Sequence, residues 1–555
     1  MSWELRLQPD PGRLTLGRFL DDVAERHGSR LALREPGRDI TVERLREEAR
    51  RLARALVGAG AGKGTRIGLY FGNGIDFAVA LFSVGLIGGI AVPVNTFSVA
   101  SERDHILRHG DVALLLMQRA LGSRDFASEL LAAHPELAGG PPGRLRLAAL
   151  PQLRRVVVYG AESERELRAL AEDVPDALID GLSAEVEPSD DALVVYTSGT
   201  TALPKGVLHM HRAPVIQSWR FAEYMDLDEE DRIFSVFPFF WTAGICMSLG
   251  ASLAAGATLL LDPVFDAERA LDTIERERAT VIHAWAHQEK ALAEHPSAAG
   301  RDLSSVRKLE FDSPLASLVG LEKDVWSMHS SYGLSESFTL SAALPAGTPA
   351  EERRGVHGKP LPGMLLRIVD PETGEEVASG EKGEIALKGV TFMRGYYKVD
   401  PENVVDENGF FRTQDGGSLD AEGRLHWTGR LSNLIKTGGA NVSPLEIEAR
   451  ALEFPGLHVA AALGIPHPTL GEAIVLGAVP TEGHSLDPEA LRAFLKERLA
   501  AYKVPRHVLV FREADVSFTG TRKLQVAPLL ERAQARLAAE GVVIAGYRYG
   551  EEPGR

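Results

Sequence analysis

Apolar positions along the chain follow two rhythms, one helical and one extended. From Thr41 to Leu56 they recur at helical spacing: Leu45, Ala49, Leu52 and Leu56 share a face, Thr41 offers a hydroxyl cap, and Gly58 is expected to end the helix. Arg66–Tyr70 then reads as a strand. Phe77–Val94 is apolar but broken by Ser83, Gly85, Gly88, Gly89 and Pro93. That pattern predicts a buried helix from Asp76 and a strand at Ile90–Val92, closed by Pro93 and Asn95, rather than a membrane span. Arg155–Tyr159, Leu193–Tyr196 and Gly206–Leu208 read as further strands. A Pro- and Gly-rich loop over 134–152 and an acidic polar stretch from Glu185 to Asp191 separate them. Alternating helix and strand patterns imply an α/β architecture. Near the far end, Val459–Ile465 and Ala473–Val479 read as strands. Asp487-Pro488 starts a helix whose inner face is Leu491, Phe494, Leu495 and Leu499. The polar stretch from Gly546 is expected to be loose.

Composition narrows the picture in three ways. At 555 residues the chain has room for two or more cores, and 45% hydrophobic with 25% charged residues is ordinary for a soluble protein. A net charge of −16 argues against nucleic acid as a main partner, because phosphate backbones need basic surface. The single cysteine, Cys246, lies in an apolar run and reads as a buried thiol; with no intramolecular disulfide to form, a reducing cytoplasm fits. Met1–Pro11 carries charges and no apolar core, so no signal peptide is expected.

The candidate chemistry begins at Val194–Val207. Between two strand-like runs lie Thr197, Ser198, Thr200 and Thr201, with Gly199 and Lys205. Backbone N–H groups in such a turn can form an anion nest, the hydroxyls add donors, and Lys205 adds positive charge. The set suits a polyphosphate, although a hydroxyl-rich hairpin turn is the simpler alternative. Gly58–Thr65 resembles a phosphate loop only superficially, since Val57 and Gly64 stand where the Walker pattern needs glycine and Ser/Thr. Ser331-Tyr332-Gly333-Leu334-Ser335-Glu336 offers an aromatic face, close backbone approach, a hydroxyl and a hard oxygen ligand for Mg²⁺. Asp415 can accept hydrogen bonds from ribose hydroxyls, or be a solvated turn carboxylate. His209 and His211 stand two apart and His283 and His287 four apart, but without a matching third ligand or a Glu after the first His they do not make a zinc site.

Taken in order, these stretches resemble the adenylate-forming superfamily of acyl-CoA synthetases, adenylation domains and beetle luciferases. Thr197–Lys205 is similar to its phosphate-binding signature, Ser331–Glu336 to its Tyr-Gly-x-Thr-Glu, Thr413–Asp415 to its Thr-Gly-Asp, and Trp427–Glu448 matches along most of its length. Ser517–Leu524 aligns with its final lysine motif. The resemblance implies an α/β fold with a large N-terminal domain of layered sheets and helices, residues 1–431. It also implies a small mobile α+β C-terminal domain, residues 432–555, rotating about a hinge near Ser432.

In that frame Lys205 and the loop hydroxyls hold phosphates, Asp312, Tyr332, Gly333 and Ser335 line the nucleotide, Asp415 accepts from its ribose hydroxyls, and Arg430 reaches the nucleotide. Glu336 holds Mg²⁺, Lys523 contacts the reacting carboxylate and α-phosphate, and Gly438 and Gly439 admit a pantetheine arm. Trp241, in Phe237–Gly244, stands where the family often has histidine, and with Trp285 and Leu334 would line a hydrophobic acid pocket. ATP, Mg²⁺ and CoA are the implied cofactors, and a small carboxylic acid the substrate.

Departures cluster at Ala202, Gln414, Ser432, Ser517 and Arg522. They raise the alternative of a ligase specialised for thioesterifying a supplied adenylate. Two other readings are an adenylation domain loading an acyl carrier protein and a non-enzymatic adenylate or acyl-CoA binder.

Overall fold

The computed structural model describes residues 11–138, 143–197, 204–309, 313–321, 331–400, 402, 404–431, 434–481, 483–516 and 526–550. The chain folds as two compact units. One comprises Met1–Thr96, Asp104–Tyr196 and Gly206–Leu431; the other comprises Phe97–Arg103, Thr197–Lys205 and Ser432–Arg555.

The larger unit is built on a seven-stranded sheet. Its order is Gly395–Tyr396, Lys205–Met210, Asp191–Thr197, Ile90–Pro93, Arg66–Tyr70, Leu114–Met117 and Arg155–Val158. Its central strands pair in parallel, as the alternating helix and strand pattern demands. Helix Val42–Gly58 packs on helix Ile75–Leu86 with Leu45, Ala49, Leu52 and Leu56 buried, and the Thr41 hydroxyl accepts from Arg44 N at 3.2 Å. Gly58 is the last residue of this helix, as its spacing suggests; a β-carbon there would stand 2.3 Å from the Leu170 carbonyl oxygen, and Gly60 takes the left-handed turn that follows. Helix Ile75–Leu86 buries every residue but Asp76, so the longest apolar run is core rather than membrane. Among the described residues no helix is long and apolar enough to cross a membrane.

A second sheet of the same unit runs Val281–His283, Arg232–Ser235, Thr258–Leu260, Leu31–Glu35 and Arg38–Thr41. An antiparallel sheet, Met364–Val369, Gly383–Gly389, Phe411–Leu419 and Leu425–Arg430, completes its layers, with a three-stranded sheet of Ser331–Tyr332, Ala342–Ala343 and Lys359–Pro360. These two antiparallel sheets carry Tyr332, Asp415 and Arg430 among the nucleotide-site candidates.

The smaller unit has a five-stranded sheet around the long hairpin Leu457–His467 and Gly471–Pro480, with helix Pro488–Lys496 capped by Asp487. Leu491, Leu495 and Leu499 are buried, while Phe494 is half-buried and packs its ring edge on Phe454. Lys503 is buried between two buried carboxylates, with Nζ 2.7 Å from Glu102 Oε1 and 2.7 Å from Glu446 Oε1. Burial pushes Glu446 up to about 7, with Lys503 offsetting part of that rise. The stretch after Gly546 is not loose as far as Gly550. Tyr547–Arg548 pairs with Val543–Ile544, and Tyr547 and Tyr549 set their rings against His467, burying Tyr549.

Candidate nucleotide and acid site

Tyr332 and Asp415 meet although they stand 83 residues apart. The Tyr332 hydroxyl donates to Asp415 Oδ2 at 2.8 Å, and the Trp427 indole N–H donates to Asp415 Oδ1 at 3.3 Å. Both Tyr332 and Asp415 are buried. Asp415 gains its position from a bulged strand: the register shifts between Gly416 and Gly417, and Asp415 pairs with Arg430 on the neighbouring strand. Gln414, immediately before it, has φ +60°. A glutamine therefore holds the left-handed conformation that glycine adopts without cost. It is fixed there by its N–H on Glu384 Oε1 at 2.8 Å and by Leu431 N on its carbonyl at 2.7 Å.

The turn after Tyr332 is equally constrained. At Gly333 a β-carbon would fall 1.6 Å from the Thr339 carbonyl oxygen, so only glycine fits. Ser335–Ser337 form one 3₁₀ turn, with Ser335 and Glu336 half-buried. The Tyr396 hydroxyl donates to Glu336 Oε1 at 2.6 Å, and Met393 N donates to the Glu336 carbonyl at 2.7 Å. Segment 393–396 thus orients the one carboxylate proposed for a metal. Among the described residues no three His, Cys, Asp or Glu side chains gather as a metal-holding group. A single oriented carboxylate fits Mg²⁺ that takes its remaining ligands from phosphates and water.

The candidate acid wall lies in the same unit. Phe237 stacks on the fully buried His283 at 5.7 Å and 6° and contacts Trp285 at 4.5 Å. Phe240 meets Trp241 edge-on at 5.3 Å. The Asn73 amide brackets this stretch, donating to the Phe237 carbonyl at 2.9 Å and accepting from Phe239 N at 2.8 Å. Trp241 and Trp285 are half-buried, and Leu334 is buried in the apolar cluster on which Trp285 packs. Burial lowers His283 to about 4 and His209 to about 3, so both are neutral core rings; the His209 and Phe338 rings meet perpendicular at 4.8 Å.

The phosphate-loop candidates are partly placed. Thr197 ends one strand and Lys205 begins the next. Ser198, Gly199, Thr200, Thr201, Asp312, Ser432 and Lys523 lie outside the described residues, as do Ala202, Ser517 and Arg522 and the side chain of Arg430. Gly438 and Gly439, at φ +54° and +81°, turn the hairpin between Ile435–Thr437 and Ala440–Val442. Sequence reasoning assigns no role to Tyr396 or Trp427. Trp427 opens one of the family-like stretches, but only the fold shows that its N–H faces Asp415.

Comparison with known proteins agrees with this geometry. The family model for AMP-binding enzymes matches residues 20–397, and that for the AMP-binding enzyme C-terminal domain matches 446–523. An indoleacetate–CoA ligase of Aromatoleum aromaticum is 30% identical, covering 94% of this chain and 99% of its own. A feruloyl-CoA synthase of an Amycolatopsis species is 30% identical, over 86% of this chain and 91% of its own. The solved structure of the amide bond synthetase McbA from Marinactinospora thermotolerans is similar at a TM-score of 0.75, 28% identical, covering 93% of this chain and 99% of that one. A family match over more than half the length, with a pinned Tyr332–Asp415 pair beside an oriented Glu336, means that this chain belongs to the AMP-binding enzyme family, within the adenylate-forming superfamily.

Proposed function

We propose that the chain is an ATP-dependent acid–thiol ligase that activates a hydrophobic carboxylic acid as its acyl-adenylate and passes the acyl group to CoA. The observation that carries this reading is the Tyr332–Asp415 hydrogen bond at 2.8 Å, which sets a flat aromatic face beside a carboxylate able to accept from ribose hydroxyls. In the first step a carboxylate oxygen of the acid bonds to the α-phosphorus of ATP while the bond to the bridging oxygen breaks, releasing pyrophosphate. Positioning and charge stabilisation dominate such a step. Thr197, Ser198, Gly199, Thr200, Thr201 and Lys205 hold the phosphates in this reading, Asp312 and Arg430 border the nucleotide, and Lys523 faces the reacting carboxylate. Glu336 holds Mg²⁺, which offsets phosphate charge when bound. In the second step a thiolate attacks the acyl carbon and AMP departs.

The reading further assigns residues 1–431 and 432–555 as domains that reorient about Ser432 between the steps, with Gly438 and Gly439 beside the incoming thiol. The half-buried Trp241 and Trp285 and the buried Leu334 support an apolar or aromatic acid, and the indoleacetate and ferulate named for two relatives are aromatic. A cytoplasmic setting suits CoA and a single buried Cys246. The likeness to an amide bond synthetase favours a second reading, in which an amine replaces the thiol as acceptor.

The test is acid-dependent pyrophosphate exchange across a panel of acids, followed by product analysis with CoA and with amines. Lys523→Ala is expected to slow exchange by roughly 10²–10³ while thioester formation from supplied adenylate survives. Equal loss of both half-reactions would remove the two-step assignment of Lys523. Amide without thioester would favour the second reading.

A further inference from the structure

Phe338 and Thr339 have φ of +54° and +85°. Two successive non-glycine residues in the left-handed region, the second β-branched, persist only where their surroundings over-determine them. Here they do. Phe338 is fully buried under the His209 ring. The Gln217 amide donates to the carbonyls on either side, Ser337 at 3.0 Å and Leu340 at 2.6 Å. Thr339 N donates to the Leu334 carbonyl at 3.0 Å, and the Thr339 carbonyl presses on Gly333. The pair thereby closes the turn that carries Tyr332 and Glu336.

The strained conformation aims the Thr339 side chain at the aromatic stretch. Its hydroxyl donates to Thr242 Oγ1 at 2.8 Å, and Thr242 is buried. Thr242 lies just before a π-helical turn, Gly244–Gly250, that is buried throughout and packs on helix Arg212–Tyr224. Such turns are rare and concentrate at functional sites. The Thr339–Thr242 hydrogen bond therefore joins the wall containing Phe237, Phe240 and Trp241 to the turn containing Tyr332 and Glu336, and the Cys246 thiol on the π-helical turn donates weakly to the Phe338 carbonyl at 4.0 Å.

We propose that Phe338–Thr339 is a strained tether that sets the spacing between the acid wall and the nucleotide turn, with Thr339 as a positioning residue. The proposal rests on the ligase reading above. Attack on the α-phosphorus needs the acid oxygen within about 3–3.5 Å, and small misplacements are costly. A loosened tether leaves ATP bound and misplaces the acid.

The experiment compares Thr339→Gly, Thr339→Val, Thr339→Ser, Thr242→Val and the Thr339→Val/Thr242→Val double variant. Each is measured in pyrophosphate exchange with the acid that serves the wild type best, and by thermal melting. Thr339→Val and Thr242→Val are expected to lower kcat by about 10- to 100-fold, with KM for ATP held within about twofold as for loss of an interaction not made by ATP. The double variant should be no worse than either single, because both remove one link. Thr339→Ser should recover most of the rate. Thr339→Gly should lose rate yet melt above Thr339→Val, since glycine relieves the left-handed residue and both lack the hydroxyl.

Wild-type kcat in Thr339→Val, additive losses in the double variant, or Thr339→Val melting at or above Thr339→Gly would each overturn the tether. If the wild type exchanges with no acid, the ligase reading falls instead, and the melting order alone decides whether the strained pair exists.

Discussion

The polar and the apolar halves of the site are built by different means. Around Asp415, hydrogen bonds fix each group: Tyr332 and Trp427 on its two oxygens, Glu384 on the residue before it, Tyr396 on the nearby Glu336. Around Phe237 the wall is assembled from rings in contact, with a side-chain amide bracket from Asn73. Hydrogen bonds specify angle and distance; ring contacts specify volume and tolerate change of shape. A partner that never varies suits the first construction, and a partner that differs from enzyme to enzyme suits the second. The strained Thr339 is where the two constructions are joined.

Substitutions should separate the halves. Asp415→Ala removes charged acceptors worth about 1.5–3 kcal/mol each, so KM for ATP should rise a hundredfold or more. Steady-state kinetics with ATP varied checks this, and an unchanged KM would detach Asp415 from the nucleotide. Glu336→Gln should raise the Mg²⁺ concentration needed for half-maximal exchange by about tenfold, the effect of losing one charged ligand. Trp241→Ala should alter the ranking of acids by about tenfold, as volume changes in apolar pockets do, without moving KM for ATP. A shift in ATP affinity alone would invert the assignment of the two halves. Tyr332→Phe keeps the ring and loses one hydroxyl, so about fivefold in KM for ATP is expected.

The smallest effect lies in the other unit. Glu446 binds its proton more tightly when folded, at about 7, than at its ordinary value near 4.5. Between those values the unfolded chain holds fewer protons, so this group's contribution to stability falls as pH rises and levels off above 7. Glu446→Gln should flatten the melting temperature between pH 5 and 7.5. An unchanged slope would place its origin elsewhere.

Periodicity makes much of the fold legible. Val42–Gly58 and Ile75–Leu86 show their buried faces in spacing alone, and Thr41 and Asp487 announce their helices because capping is local chemistry. Gly58 ends its helix as the spacing suggests, but its close packing on Leu170, far away in sequence, is not legible there. The tail after Gly546 misleads, since its order comes from His467. Tyr332, Asp415 and Glu336 are legible as motif residues, but not the bonds that orient them. Trp427, Tyr396 and Glu384 arrive from separate strands, and no local pattern predicts that. Nor does sequence announce backbone angle: Gln414, Phe338 and Thr339 occupy left-handed conformations that their side chains disfavour, and only tertiary contacts hold them there.

Cys246 carries a practical corollary. It is fully buried, and burial pushes its thiol up to about 12, so at neutral pH it offers neither access nor thiolate to a maleimide. Since the chain has no other cysteine, a label will attach only where one is introduced. Paired spin or fluorescent probes, one in each unit, can therefore track any reorientation during turnover without first stripping the native background.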